Sequence, residues 1–126
     1  MAVLFQCEFV GLQSSRPQML AEWYARNFGS VAGPATDVDS EPPPPGSFEV
    51  LFKGDEHAWG MFVPKDSSLY REKQVSIIAT DQIEKAHKLL TELGSNPRPI
   101  QQDRDGYRFF EVQDLDGNSL QVSEDA

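Results

Sequence analysis

The feature that most restricts what this chain can fold into is a self-similarity at a spacing of 65 positions. At that offset Gly29 meets Gly94, Phe28 meets Leu93, Ala25 meets Leu90 and Ala21 meets Ala86, while Leu12 meets Ile77 and Val10 meets Val75, with no gap. Glycine readily takes the left-handed conformation that ends a helix, so two such glycines in register argue for a repeated strand–helix unit. The period is too long for a solenoid and occurs only twice, which leaves a duplicated module. Each half reads β-α-β-β-β, the second strand of the first half being hidden in a proline-rich segment.

Local patterns fill in the elements. Val3 to Leu12 predicts a first strand with Val10 and Leu12 on one face and Phe9 and Gly11 on the other. Ser15 and Gln18 have capping-box spacing, Pro17 suits a first turn, and Leu20, Tyr24 and Phe28 recur at helical intervals, so a helix is expected over about 17–28. Asp37, Asp39 and Glu41 precede Pro42-Pro43-Pro44-Pro45-Gly46, and Pro34 to Gly46 reads as an exposed loop. Phe48 to Lys53 and His57 to Val63 form a hairpin around Gly54-Asp55-Glu56, and Pro64 to Lys73 is a polar connector. Gln74 to Thr80 is a strand. Asp81 is placed to cap a helix over about 82–93 whose buried stripe is Ile83, Ala86, Leu89, Leu90 and Leu93.

The last third is the most legible. Ile100 to Gln102 is a short strand and Asp105-Gly106 a hairpin turn. Tyr107 to Val112 and Ser119 to Val122 then flank Asp114-Leu115-Asp116-Gly117-Asn118, whose Asp, Gly and Asn suit a tight turn. In the final run Leu120 and Val122 alternate with Ser119, Gln121 and Ser123, so the apolar pair faces the core and the polar row faces water or a cavity.

Bulk properties exclude whole classes of function. A length of 126 residues is that of one domain, here about 1–63 and 74–126 as modules with 64–73 between them. One cysteine excludes an internal disulfide and fits a reducing, cytoplasmic setting. The start of the chain lacks a secretory signal pattern, and no apolar run is long enough to span a membrane. Eleven basic against twenty acidic residues leave a net charge of −9, which repels phosphate backbones and argues against a nucleic-acid partner.

Three pieces together resemble the vicinal-oxygen-chelate superfamily, which includes glyoxalase I, bleomycin-resistance proteins and extradiol dioxygenases. They are residues 14–29 with the Trp23-Tyr24 pair and closing glycine, the segment Asp81 to Gly94, and Asp114-Leu-Asp-Gly-Asn-Ser-Leu-Gln121. The last looks like the family's Asp-Pro-Asp-Gly-Asn hairpin, with Leu115 in place of proline. The resemblance implies an α+β fold in which two βαβββ modules form a curved, half-open barrel with the helices outside. It also implies a metal held by side chains from the first and last strands of each module. Carried over by register, those positions are Phe9, a place near Trp59 to Met61, Gln74 and Gln121. Phenylalanine cannot ligate, and neutral amides are poor partners for a transition metal. No metal cofactor is therefore expected; Glu8, Gln74 and Gln121 are the fallback ligands should a divalent metal bind after all.

The same register lines the cavity with Phe9, Gly11, His57, Trp59, Met61, Gln74, Ser119 and Gln121. Aromatic and apolar walls with a few neutral hydrogen-bonding groups suit a small organic ligand. Glu8 and His57 are the candidates for acid–base chemistry. His87 is read as solvent-facing, Cys7 as a packed thiol, and Asp103, Arg104 and Asp105 as a solvated turn. A metal-free ligand-binding protein is the first expectation. A metal-dependent lyase, isomerase or dioxygenase and a non-catalytic dimerisation module are the alternatives, and the resemblance implies a homodimer.

Overall fold

The computed structural model describes residues 5–7, 9–28, 31–36, 42–51, 59–75 and 77–124. The first half comprises β1 (Phe9–Ser14), α1 (Pro17–Phe28), β2 (Val31–Pro34), β3 (Phe48–Leu51) and β4 (Trp59–Pro64). The second comprises β5 (Gln74–Val75), β6 (Ile78–Thr80), α2 (Ile83–Glu92), β7 (Gln101–Gln102), β8 (Arg108–Gln113) and β9 (Ser119–Glu124). Each half is β-α-β-β-β once β5 and β6 are taken as one interrupted strand.

The first and last strands of each half pair in parallel, β1 with β4 and β6 with β9. Two sheets result, ordered β2-β3-β4-β1-β5 and β6-β9-β8-β7, and neither closes into a barrel. They are joined by the first strands, which run antiparallel: Val10 lies opposite Val75, Gly11 opposite Gln74, and Gln6 opposite Ala79. All three pairs share one register, so the halves meet along a single ladder.

The helices cover one face of each sheet. Val10, Leu12, Val50 and Phe62 pack with Leu20, Tyr24 and Phe28 of α1, and Phe110, Val112, Leu120 and Val122 join Ile83, Ala86 and Leu90 of α2. Burying each such large side chain stabilises the fold by about 1.5–3 kcal/mol. Both helices fall where the hydrophobic spacing puts them. Of the stripe expected on α2, Leu89 is half-buried and Leu93 is at the exposed limit.

Several local expectations need correction. The second strand, β2, precedes the proline tract, which begins only at Pro42. Asp81 does not cap α2; the Thr80 hydroxyl accepts the Gln82 N–H at 3.1 Å, one residue earlier. The capping box at α1 is also displaced, because Ser14, not Ser15, accepts the Arg16 N–H at 3.0 Å, while the Gln18 amide donates to Glu22. The two hydroxyls do the same work in the two halves. They stand 66 positions apart, and so do buried Leu12 and Ile78, whereas Ile77, expected opposite Leu12, is 67% exposed. Val10 and Val75 keep the offset of 65. The correspondence between the halves therefore slips by one position between Val75 and Ile78, although the ladder with the first strand keeps one register. In the proline tract, Pro42, Pro45 and Gly46 are exposed, Pro43 and Pro44 are half-buried, and buried Ser47 fastens the end through its hydroxyl to the Pro44 carbonyl at 2.6 Å. Residues 37–41 and the turn Gly54-Asp55-Glu56 lie outside the described residues.

Candidate functional site

Because strand side chains alternate, the residues opposite the helices form a second, inner face on each sheet. On the first sheet one row crosses four strands: Val31, Leu51, Trp59 and Phe9 are successive register partners on β2, β3, β4 and β1. Val31 is 72% exposed and Leu51 58% exposed, while Trp59 and Phe9 are half-buried. The next row is Gly33, Glu49, Met61, Gly11 and Gln74.

The connector after β4 folds back over this face. The Gln13 side-chain amide donates to the carbonyls of Ser67 at 2.7 Å and Leu69 at 3.1 Å. Tyr70 follows with a backbone φ of 58°, a conformation that favours glycine. Its ring lies directly on Gly11: a Cβ there would meet the Tyr70 Cδ1 and Cε1 atoms at 2.8 Å and the Phe9 Cε1 atom at 2.9 Å. Gly11 thus leaves room for two rings at once. Phe9 is 5.2 Å from the Trp59 ring and 5.8 Å from the Tyr70 ring, inclined at 66° and 55°. Partial burial raises the Tyr70 phenol above its ordinary pKa. Met61 is fully buried beneath this aromatic group, so it supports the face instead of presenting a contact.

The inner face of the second sheet is different in kind. Its rows pair Phe109 with Ser123, Glu111 with Gln121 and Gln113 with Ser119. Apart from Phe109 and Ala79 the described positions are polar, and the Gln121 amide donates to the Ser123 hydroxyl at 3.0 Å. Ser119 also borders a polar groove of about 400 Å³, with Ser95, Asn96, Arg98, Glu111 and Gln113. Its wall is the outer edge of β8, where the Arg98 N–H donates to the Glu111 carbonyl at 2.8 Å.

The structure thus brings Phe9, Gly11, Trp59 and Met61 together, with exposed Gln74 paired to Gly11, and it puts Ser119 and Gln121 on the inner face of the other sheet. Glu8 and His57 lie outside the described residues. Tyr70 and Gln13 were not among the expected site residues; the parity of Gln13 with Phe9 and Gly11 is the one signal in the sequence that could have found either. His87 is not simply solvent-facing: its ring packs edge-on at 5.0 Å against buried Phe110, and its Nε2 is 2.9 Å from the Arg98 carbonyl oxygen. Cys7 is buried, as expected of a packed thiol.

The turn between β8 and β9 is the best-tied polar structure among the described residues. Buried Asp114 accepts the N–H groups of Asp116 and Asn118 at 2.9 Å, the Asn118 side-chain amide, and the Tyr24 hydroxyl at 2.7 Å. Asp116 in turn accepts the Ser14 hydroxyl at 2.6 Å and the Arg16 guanidinium at 2.9 Å. Gly117 supplies the positive φ the turn requires. Burial first, and the Asp114 carboxylate second, hold the Tyr24 phenol far above its usual range, so it remains a donor. The turn of the second half is thereby stapled to the helix start of the first.

The fold so defined is the vicinal-oxygen-chelate fold. A glyoxalase/bleomycin-resistance/dioxygenase superfamily member from Sphaerobacter thermophilus matches with a TM-score of 0.70 and 19% identity, over 95% of this chain and 97% of that one. The antibiotic binding protein TnmS3 from Streptomyces matches at 0.69 and 14%, over 96% of each chain. Lactoylglutathione lyase from Agrobacterium tumefaciens matches at 0.63 and 14%, over 92% of this chain and 90% of that one. No family model matches the sequence, and no curated protein matches it significantly. No helix among the described residues is long and apolar enough to cross a membrane.

Among the described residues, those at the register positions do not fit a catalytic divalent metal. Phe9 offers no donor, Trp59 and Met61 no hard one, and Gln74 and Gln121 are uncharged amides. Among the described residues no three His, Cys, Asp or Glu side chains converge.

Proposed function

We propose that this chain binds a small, partly apolar organic molecule on the inner face of its first sheet, without a catalytic metal. The observation that carries this reading is the row Val31, Leu51, Trp59 and Phe9, an apolar strip at the sheet surface on the side away from the helix. Its aromatic members give a planar ligand a stacking surface, and Gln74 beside Gly11 offers its polar end a hydrogen bond. The antibiotic binding protein TnmS3 is a structural precedent for this use of the fold. Gln121 and Ser119 are proposed as outer polar contacts, and His57 as a residue at the mouth.

Elemental analysis after gentle purification, followed by ligand-induced thermal shifts with and without chelator, tests both halves of the proposal. The expected result is substoichiometric metal and chelator-insensitive shifts that weaken in Trp59→Leu. Stoichiometric nickel, zinc, iron or manganese lost on Glu8→Ala or Gln121→Ala would overturn it and favour an enzyme. We also propose a two-fold homodimer, since β2 is a sheet edge carrying exposed Val31. Sedimentation at micromolar concentration should give twice the chain mass, and a monomer mass would refute it.

A further inference from the structure

We infer that the ligand of this face is an organic cation, an ammonium or heteroaromatic cation carried on an apolar body. The inference rests on the reading of the inner face as the ligand site. It comes from the kind of groups gathered there. Phe9 touches both Trp59 and Tyr70 with inclined rings, so three aromatic groups stand in a row, two of them, Phe9 and Tyr70, over Gly11. The faces of aromatic rings carry partial negative charge and attract a cation within about 6 Å of the centroid.

Among the described residues the charged groups of the surrounding rows have one sign. Glu49 lies on the row next to Trp59, paired with Met61 and two strands from Gly11. It is half-buried and is met by the Thr36 hydroxyl at 3.3 Å from each carboxylate oxygen, and no Lys or Arg pairs with it among the described residues. On the second sheet the inner-face rows carry Glu111. The other polar groups of these rows are the amides and hydroxyls of Gln13, Gln74, Gln113, Gln121, Ser119 and Ser123, and no Lys or Arg occurs on the inner face of any described strand. The cations nearest in sequence, Arg71 and Lys73, are exposed on the connector. An anion would meet ring faces and carboxylates; a cation meets both favourably. The net charge of −9 biases encounter the same way.

A pair of nearly isosteric probes isolates charge from shape: choline, and 3,3-dimethylbutan-1-ol, in which carbon replaces the quaternary nitrogen. Titration of the full chain at millimolar concentration, followed by the indole N–H resonances, reads binding at Trp59. Choline is expected to bind about tenfold more tightly than the alcohol, a ratio of the size cation–π contacts produce. Glu49→Gln should reduce that ratio; read instead from the Gly11 backbone amide resonance, Trp59→Leu should weaken choline binding most, whereas Trp59→Phe keeps a ring and retains part of it. Equal binding of both probes would overturn the cation assignment and leave the small-molecule site standing. No perturbation of Trp59 by either probe would overturn the site and the assignment together.

Discussion

The two halves of this chain share one topology and have opposite inner faces. The first sheet turns Phe9, Trp59, Leu51 and Val31 inward, and the second turns Glu111, Gln113, Ser119, Gln121 and Ser123 inward. Their helix faces, by contrast, are alike: each packs a stripe of Leu, Val and Phe, with Ile added in the second. The comparison teaches that the duplicated module constrains only the face that must be buried to fold. The other face is free to differ, and function is read from that difference. The polar work is divided too, because the second half supplies the Asp114–Asn118 turn that fastens the first half's helix start.

The largest expected effect comes from breaking that staple. Asp114→Ala removes the acceptor of Tyr24, two backbone N–H groups and the Asn118 amide, and should cost about 3 kcal/mol in urea unfolding, since each buried group left unpaired costs about 1–3 kcal/mol. A loss below about 0.5 kcal/mol would mean that the halves do not depend on the turn. Gly11→Ala should come next, at about 1–3 kcal/mol, because the added methyl collides with the Tyr70 and Phe9 rings. Tyr70→Ala in the same chain should recover part of the loss, the Phe9 contact remaining, and a purely additive double mutant would show that Tyr70 does not lie over Gly11 in solution. Tyr24→Phe removes a single hydroxyl and should cost about 1–1.5 kcal/mol, with Asp114→Asn suppressing the difference between Tyr and Phe.

The smallest effect belongs to the surface of the second half. Arg108 donates to Glu124 and Glu84, and its hydrogen bonds hold the Glu124 carboxyl below the usual carboxylate range. A carboxyl whose pKa is lower folded than unfolded stabilises the fold above its unfolded pKa. That contribution disappears as pH falls through the folded value. Arg108→Met should therefore lower stability slightly at neutral pH and leave it nearly unchanged in acid, flattening the acid side of the profile, with the difference fading in high salt. An equal effect at low and high salt would show that Arg108 acts by packing.

The helices were legible because Leu20, Tyr24 and Phe28, and Ile83, Ala86 and Leu90, recur at intervals that have one geometric meaning. The repeat was legible for the same reason, but its offset slipped by one residue at Ile77. Which side chains turn inward after an interrupted strand is not fixed by composition, and Val75, Ile77 and Ile78 are equally apolar on paper. The aromatic row was partly legible from the parity of Phe9 and Gly11. Tyr70 was not, since its place over Gly11 depends on a left-handed backbone at a tyrosine and on Gln13 holding two carbonyls of the connector. Nor was the anchoring role of Asp114 legible: a turn aspartate reads as solvated until a tyrosine 90 positions away is folded onto it.

The parallel pairing of first and last strands also has a consequence for synthesis on the ribosome. β1 finds its partner in β4 across some fifty residues, Phe9 against Trp59, and β6 waits until β9 has emerged, Ile78 against Val122. Until β9 is in place, β6 and β8 have a vacant lane between them, because β9 lies between them in the sheet. The second sheet is thus completed from its middle by the last strand to be made, and pairings so distant in sequence form slowly. Until then the apolar sides of β6 and β8 lack the strand that joins them, and this is the interval in which a chaperone or a misplaced neighbour has most to hold.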